Sequence, residues 1–268
     1  MGLMKKFVVI EKRVGFTPLQ ELEELKRQKS EYKNIPLTYA GRLDPMASGK
    51  LLVLIGDECK KKSEYLGLDK EYEFEILLGV ETDTGDVLGI ATSSSSDFSE
   101  SKLSSVLQSA VGTHVFPYPS FSSKTVQGKP LFEHALEGTL DVIEMPTRES
   151  RVYKIKSLGT RNLMGSGVSS DIASRIALLR VESNTGTVSP DFRRDEVLES
   201  WRTAVKEDKK YVIIKASVIV SSGTYIRTLA PYIAESLGTR GLAYSIHRTK
   251  IGRYHSLFGS LGFWTKSF

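Results

Sequence analysis

Residues 70–78, KEYEFEILL, alternate apolar with charged side chains: Tyr72, Phe74, Ile76 and Leu78 point one way, Glu73 and Glu75 the other. A period of two predicts a half-buried strand. FVVIEK (7–12) reads as a short buried strand and YVIIKASVIV (211–220) as a strong one. GFTPLQELEELKRQK (15–29) has helical spacing instead. Thr17 can cap that helix, Pro18 suits its first position, and Gln20 completes a capping box. Leu19, Leu22 and Leu25 then form its apolar stripe.

KLLVLIGDECKKKSEYLG (50–67) is apolar and then basic, the CKKKSEY run reading as a solvated helix end. SSSSDFSESKLSS (93–105) is a Ser-rich connection leading into a helix that ends near Gly112. Residues 160–175 and 183–210 are weakly patterned and read as loops, a short helix and a variable excursion at about 160–210. After the strand at 211–220 comes SSGTYIRTLAPYIAESLG (221–238). Pro231 forbids an undisturbed helix from Thr224, so a start near Thr228 is expected, leaving GTYIR as a connecting turn. No repeat or domain boundary interrupts the chain. The expectation is a single α/β (α+β) domain over 1–268 in which sheets outweigh helices.

The 268 residues are 40% hydrophobic and 26% charged, an ordinary globular composition able to bury a large core. Thirty-seven basic against 32 acidic residues leave a charge of +5, compatible with a nucleic-acid partner without requiring one. A single cysteine, Cys59, excludes an internal disulfide. His114, His134, His247 and His255 show no ligand spacing, so no metal is expected. No apolar run reaches membrane-spanning length, and MGLMKKFVVIEKR does not read as a signal peptide. Lys6 occupies the position where myristoylation wants Ser or Thr. A cytoplasmic monomer is expected.

YAGRLDPMASG (39–49) confines one carboxylate, Asp44, between Arg42 and Pro45, flanked by Gly41 and Gly49. Turn chemistry or a held catalytic carboxylate would each produce such a frame. The chain has no Gly-x-Ser-x-Gly elbow, no suggested Cys/His pair and no phosphate-cradling Gly-rich loop. That leaves a carboxylate-centred site with Asp44 as its leading candidate. The aspartates of ETDTGD (81–86) read as members of a solvated turn.

YAGRLDPMASGKLLVLIGDECKK closely resembles the TruB family of pseudouridine synthases, whose signature reads Gly-x-Leu-Asp-Pro-x-Ala-x-Gly. Further segments follow in the family's order. EKRVGFTPLQELEELK is similar to its lead-in, and KEYEFEILLGVETDTGD to its Tyr-bearing strand. FPYPSFSSKTVQGKPLFEHALEG (116–138) is similar to its Pro-rich segment. SSGTYIRTLA (221–230) is almost verbatim, and LAYSIHRTKIGRY (242–254) fits its closing element. The resemblance covers roughly residues 7–255. It implies a pseudouridine synthase fold: a mixed, largely antiparallel central sheet with peripheral helices and a central RNA-binding cleft.

The implied activity is conversion of uridine to pseudouridine in RNA, with the T-loop uridine (position 55) of tRNA as the family's typical target. No cofactor or metal is implied. Asp44 would be the essential carboxylate, acting as a nucleophile on the sugar or as a base on a ribose proton. Arg227 would keep it ionised, Tyr72 would stack on the base, Tyr225 would hold Arg227 and Asp44, and Ile246 would line the base pocket. Taken singly, Tyr72, Tyr225 and Ile246 read as core and Arg227 as a helix-start charge; the joint pattern makes them a site.

Two departures carry expectations of their own. The family's usual His-Thr-Gly is replaced by Tyr39-Ala40-Gly41, so Arg42 or Tyr39 is expected to replace the histidine associated with base flipping. Arg42 is favoured, because related RluA-type synthases carry a wedge arginine in Arg-Leu-Asp; a plain phosphate contact is its alternative. With Phe268 as the last residue, the C-terminal PUA domain that many members append is not expected. RNA contacts are then expected from Lys124, Lys129, Arg248, Lys250 and Arg253. The rival readings are the same reaction on another RNA, such as rRNA, and an RNA-binding or tRNA-folding protein without turnover.

Overall fold

The computed structural model describes residues 5–95, 98–180, 192–257 and 261–268. Its first strand, β1 (Phe7–Lys12), coincides with the FVVIEK run, and α1 (Pro18–Gln28) follows. The expected capping box forms: the Gln20 amide donates to the Thr17 hydroxyl, and the Thr17 amide to the Gln20 side chain. Leu22 and Leu25 are buried, but Leu19 of the expected stripe is 51% exposed. The helix instead turns Gln20 and Glu21 inward, because both find partners there. Gln20 donates to the Arg180 carbonyl, and Glu21 accepts three hydrogen bonds from Arg13.

β2 (Leu37–Ala40) and β3 (Ala47–Ile55) flank the turn that carries Asp44. α2 (Lys62–Leu66) leads to β4 (Asp69–Leu78), where Lys70, Tyr72, Phe74 and Ile76 are the buried alternate positions. Then come β5 (Val80–Thr82), β6 (Ala91–Ser93), α3 (Leu103–Ser109) and β7 (Gly112–Pro117). The Ser-rich stretch enters α3 as expected, its residues 96–97 lying outside the described residues. The short pair β8 (Thr125–Val126) and β9 (Lys129–Pro130) precedes α4 (Leu131–Leu136).

The segment read as weakly patterned is largely regular. β10 (Thr147–Met164) is followed by α5 (Gly165–Ala177) and α6 (Arg194–Ala204). α5 contains two glycines and four serines, poor helix formers that mask its periodicity. Packing sustains it instead: Val168, Ile172 and Ile176 share a buried cluster with Val197 and Trp201 of α6. Residues 181–191 of the expected excursion lie outside the described residues.

β11 (Lys210–Val220), α7 (Ile226–Ser236), β12 (Gly241–Ser256) and β13 (Gly262–Thr265) complete the chain. α7 begins at Ile226 rather than Thr228, with Pro231 inside it. Proline has no N–H for the carbonyl four residues back, here that of Arg227. The Gly85 turn seats against that carbonyl so closely that a Cβ on Gly85 would lie 2.2 Å from the oxygen. One loop of the site thus packs onto α7 at the carbonyl that Pro231 leaves without a helical partner.

Nine strands form one sheet in the order β1-β3-β12-β4-β11-β10-β7, with β2 on β3 and β13 on β12. Every pairing in this sheet is antiparallel except β12 with β3, which matches the expected mixed, largely antiparallel sheet. Tyr72, Phe74 and Ile76 pack with α3 and α7 on one face. Leu77, Tyr211 and Ile213 pack with α5 and α6 on the other. The parallel pairing sets Ile246 opposite Ala47, just past Asp44, and so brings β12 to the turn.

Candidate active site

The turn between β2 and β3 is held from two sides through its main chain. Lys12, at the end of β1, donates to the carbonyls of Pro45 at 3.3 Å and Ala47 at 2.6 Å, and Gly15 N donates to Pro45 O at 2.9 Å. From β12, Arg248 donates to the carbonyls of Gly41 at 3.1 Å, Arg42 at 3.3 Å and Lys50 at 2.8 Å. Arg248 is 0% exposed, which corrects its expected place on an RNA phosphate. Its charge is spent on main-chain carbonyls, two of them in the turn, which has no ladder partners of its own, and one in β3.

The Asp44 carboxylate is gripped on both oxygens. Arg227 Nε donates to Oδ2 at 2.8 Å and Nη2 to Oδ1 at 3.2 Å. The same guanidinium donates to Thr84 O at 3.0 Å and Phe121 O at 3.3 Å. The Arg227 side chain is 4% exposed and that of Asp44 is 28% exposed, so the pair is sealed on one side and open on the other. Burial works against the Arg227 charge, but Asp44 and then Asp86 outweigh it, and the guanidinium is held more firmly protonated than usual.

Asp86 overturns the reading of ETDTGD as a wholly solvated turn. It is buried, its Oδ2 lies 3.6 Å from Arg227 Nε, and its Oδ1 accepts from Thr84 Oγ1 at 2.8 Å and Leu88 N at 3.0 Å. Burial raises its pKa above the usual carboxylate range, against the pull of Arg227. One buried cation therefore faces two carboxylates, of which only Asp44 reaches solvent. A Thr-x-Thr-Gly-Asp run following a strand is the one sequence signal for Asp86, and ordinary turn chemistry gives the same letters.

The remaining predicted residues divide. Tyr72 and Ile246 share the buried cluster that includes Leu43, beside Asp44. The Tyr72 hydroxyl makes no hydrogen bond among the described residues. Tyr225 immediately precedes α7; burial, then Asp44, raises its pKa. Arg42 and Lys124 are exposed, and Arg42 donates to the Ser123 hydroxyl, tying the turn to the Pro-rich segment. Tyr39 instead packs in the α1-side cluster beneath Lys62, away from the carboxylate. Lys129 pairs with Glu137 at 2.5 Å and Lys250 with Glu71 at 3.7 Å, while Arg253 is exposed on β12 opposite Thr265.

Two buried lysines support this architecture. Burial pushes Lys12 down to about 7, against the opposing pull of Glu21 and Asp44. Lys70 is likewise pushed down to about 7 by burial, with Arg248 adding to the shift. Above that pH the folded protein binds fewer protons at these sites than the unfolded chain. Stability is therefore expected to rise from about pH 7 to pH 9, by up to about 1.4 kcal/mol per pH unit per lysine. Urea unfolding across that range checks this, and the rise should be smaller in Lys70→Met; an unchanged slope there would acquit Lys70.

Among the described residues, no group of three or more His, Cys, Asp or Glu side chains is arranged to hold a metal. No described helix is long and apolar enough to cross a membrane.

Comparison with known proteins gives the geometry its context. The TruB family pseudouridylate synthase (N terminal domain) matches residues 28–189. The chain is 27% identical over 247 residues to the tRNA pseudouridine synthase B of Hydrogenovibrio crunogenus, covering 91% of this chain and 64% of the relative. The namesake from Psychrobacter arcticus is 26% identical over 251 residues, covering 92% and 53%. For that from Bordetella avium the figures are 28% over 251 residues, 92% and 81%. This chain thus spans only 64% and 53% of the first two relatives. In fold it is similar to a chain of a Cbf5-Nop10-Gar1 complex, with a TM-score of 0.55, 17% identity, and coverage of 92% of this chain and 48% of that one. A chain of an H/ACA RNP bound to a substrate RNA containing 2′-deoxyuridine gives 0.50, 16%, 91% and 46%. With the family matched over more than half its length, and the Asp44 turn and its arginine in one sheet-borne site, the chain belongs to the TruB family of pseudouridylate synthases.

Proposed function

We propose that this protein isomerises uridine to pseudouridine in RNA, with uridine 55 in the T-loop of tRNA as its target. The observation that carries the reading is the Asp44 carboxylate, held on both oxygens by a buried arginine yet open to solvent on one side. Attack on the sugar and removal of a ribose proton both need that carboxylate ionised, and Arg227 is the fixed cation that keeps it so. In the reaction the glycosidic C–N bond breaks, the uracil turns, and a C–C bond forms. The new bonding carbon then loses its proton and the freed ring nitrogen gains one, so that the product is an isomer. Tyr72 stacks on the base, Ile246 lines its pocket, and Tyr225 supports Asp44 and Arg227. No cofactor enters these steps, and we take the working form to be a cytoplasmic monomer.

Pseudouridine mapping of unmodified tRNA transcripts after incubation with the protein tests this reading. A new pseudouridine at the T-loop position is expected, absent with Asp44→Asn. The replacement of the family's histidine tripeptide favours one second reading, the same reaction on another RNA such as rRNA. Mapping on total cellular RNA would then find the site elsewhere. Binding without modification of any RNA would leave a non-catalytic RNA-binding role.

Base flipping falls to Arg42 in this proposal, since Tyr39 is engaged in the α1-side cluster. Flipping costs a few kcal/mol, so losing its wedge is expected to slow turnover on folded tRNA by about 10- to 100-fold in Arg42→Ala. The loss should shrink on a single-stranded substrate. An equal loss on both would reduce Arg42 to a phosphate contact.

A further inference from the structure

Resting on the RNA-modifying reading above, we propose that Arg148 and Lys124 flank Tyr118 to form a binding site for a backbone phosphate next to the target nucleotide. Arg148, on β10, is exposed yet fixed: Nη2 donates to Ser222 O at 3.0 Å and Nη1 to the Tyr118 hydroxyl at 3.4 Å. It lies flat on Gly223, where a Cβ would come within 2.2 Å of its Cζ. Gly223 has a φ of +83°, so glycine serves there both as the turn residue and as the floor beneath the guanidinium. Over the Tyr118 ring, the Lys124 ammonium stands 5.4 Å from the centroid.

Neither cation has a carboxylate within ion-pair distance among the described residues. This separates them from Lys129 and Lys250, whose charges are already engaged by Glu137 and Glu71. An exposed guanidinium held in place by neutral acceptors keeps its charge and free donors for an outside anion, and a planar fork suits a phosphodiester. Position points to RNA as its source. The Tyr118 ring meets Tyr225 edge-on at 5.8 Å, and Tyr225 precedes by two residues the arginine that grips Asp44. A strand whose target uridine reaches Asp44 therefore runs past these cations.

RNA binding measured against salt reads the site directly. Each lost phosphate contact should lower the slope of log K against log salt by about 0.7 to 0.9. Arg148→Ala and Lys124→Ala are each expected to show that drop, with a larger rise in KM than fall in kcat. Arg148→Lys should recover only part of the affinity. Arg202→Ala, which removes an exposed charge on α6, should leave the slope unchanged. Unchanged slopes in both Arg148→Ala and Lys124→Ala would overturn the proposal. Should the wild-type protein modify no RNA yet show these slope changes, the phosphate site would stand and the catalytic reading would fall.

Discussion

Asp44→Asn is expected to lower pseudouridine formation at least about 10³-fold, the scale on which an acting carboxylate is missed, while leaving a folded protein that binds RNA. The carboxamide keeps the shape but loses the charge and the lone-pair pattern that either proposed role needs. The fold should survive because Arg227 retains three other partners: the carbonyls of Thr84 and Phe121 and the Asp86 carboxylate. Loss of the charge-assisted contacts should cost roughly 1.5–3 kcal/mol of stability. Single-turnover kinetics on unmodified tRNA, beside a urea melt, separates the two effects. A variant working within tenfold of wild type would remove Asp44 from the chemistry.

Arg227→Met should have the largest effect on stability. It leaves Asp44 and Asp86 facing one another with no cation between them, one of the two buried. Breaking a buried ion pair from one side costs about 3–5 kcal/mol, because the stranded charge stays buried. Its pH dependence follows from Asp86. Burial already raises that carboxyl in the wild type, so the fold holds its proton to higher pH than the unfolded chain does. Without Arg227 the raise grows, and the variant should lose stability as pH increases from the ordinary carboxylate range toward neutrality. Adding Asp86→Asn should return part of the lost stability but none of the activity. Equal stability of the single and double variants at neutral pH would mean that Asp86 is not the stranded charge.

The elements with strong local patterns were legible in the chain. Alternation located β4 and the apolar run located β11, because a strand with one buried face imprints period two on its own letters. Thr17, Pro18 and Gln20 marked the start of α1, since capping is settled within one turn. Of α5 and α6 only one short helix was expected, and α5 was masked for the opposite reason: a Gly- and Ser-rich helix owes its existence to its packing against α6 and the sheet. The start of α7 was misplaced because local proline rules weigh only the missing N–H. The carbonyl that Pro231 frees has the Gly85 turn packed closely against it, far away in sequence.

The candidate site divides in the same way. Asp44 and Arg227 stood out through their motifs, and their neighbours Tyr72, Tyr225 and Ile246 through the family pattern. Asp86 did not, because TDTGD spells a solvated turn until α7 packs over it. Arg248 looked like a surface base in HRTK, and nothing local shows that two turn carbonyls and one of β3 await it. Arg148 is an unremarkable letter, and its contact with Gly223 of the SSGTYIRTLA motif exists only once β10 lies beside β11. By itself, then, the sequence determined three of the strands, the first helix, the family and the candidate carboxylate, all written in short-range pattern or motif. Tertiary structure alone decided which charges are buried, which pair, and which stay exposed at the surface, because burial and pairing depend on groups that meet only when distant segments fold together.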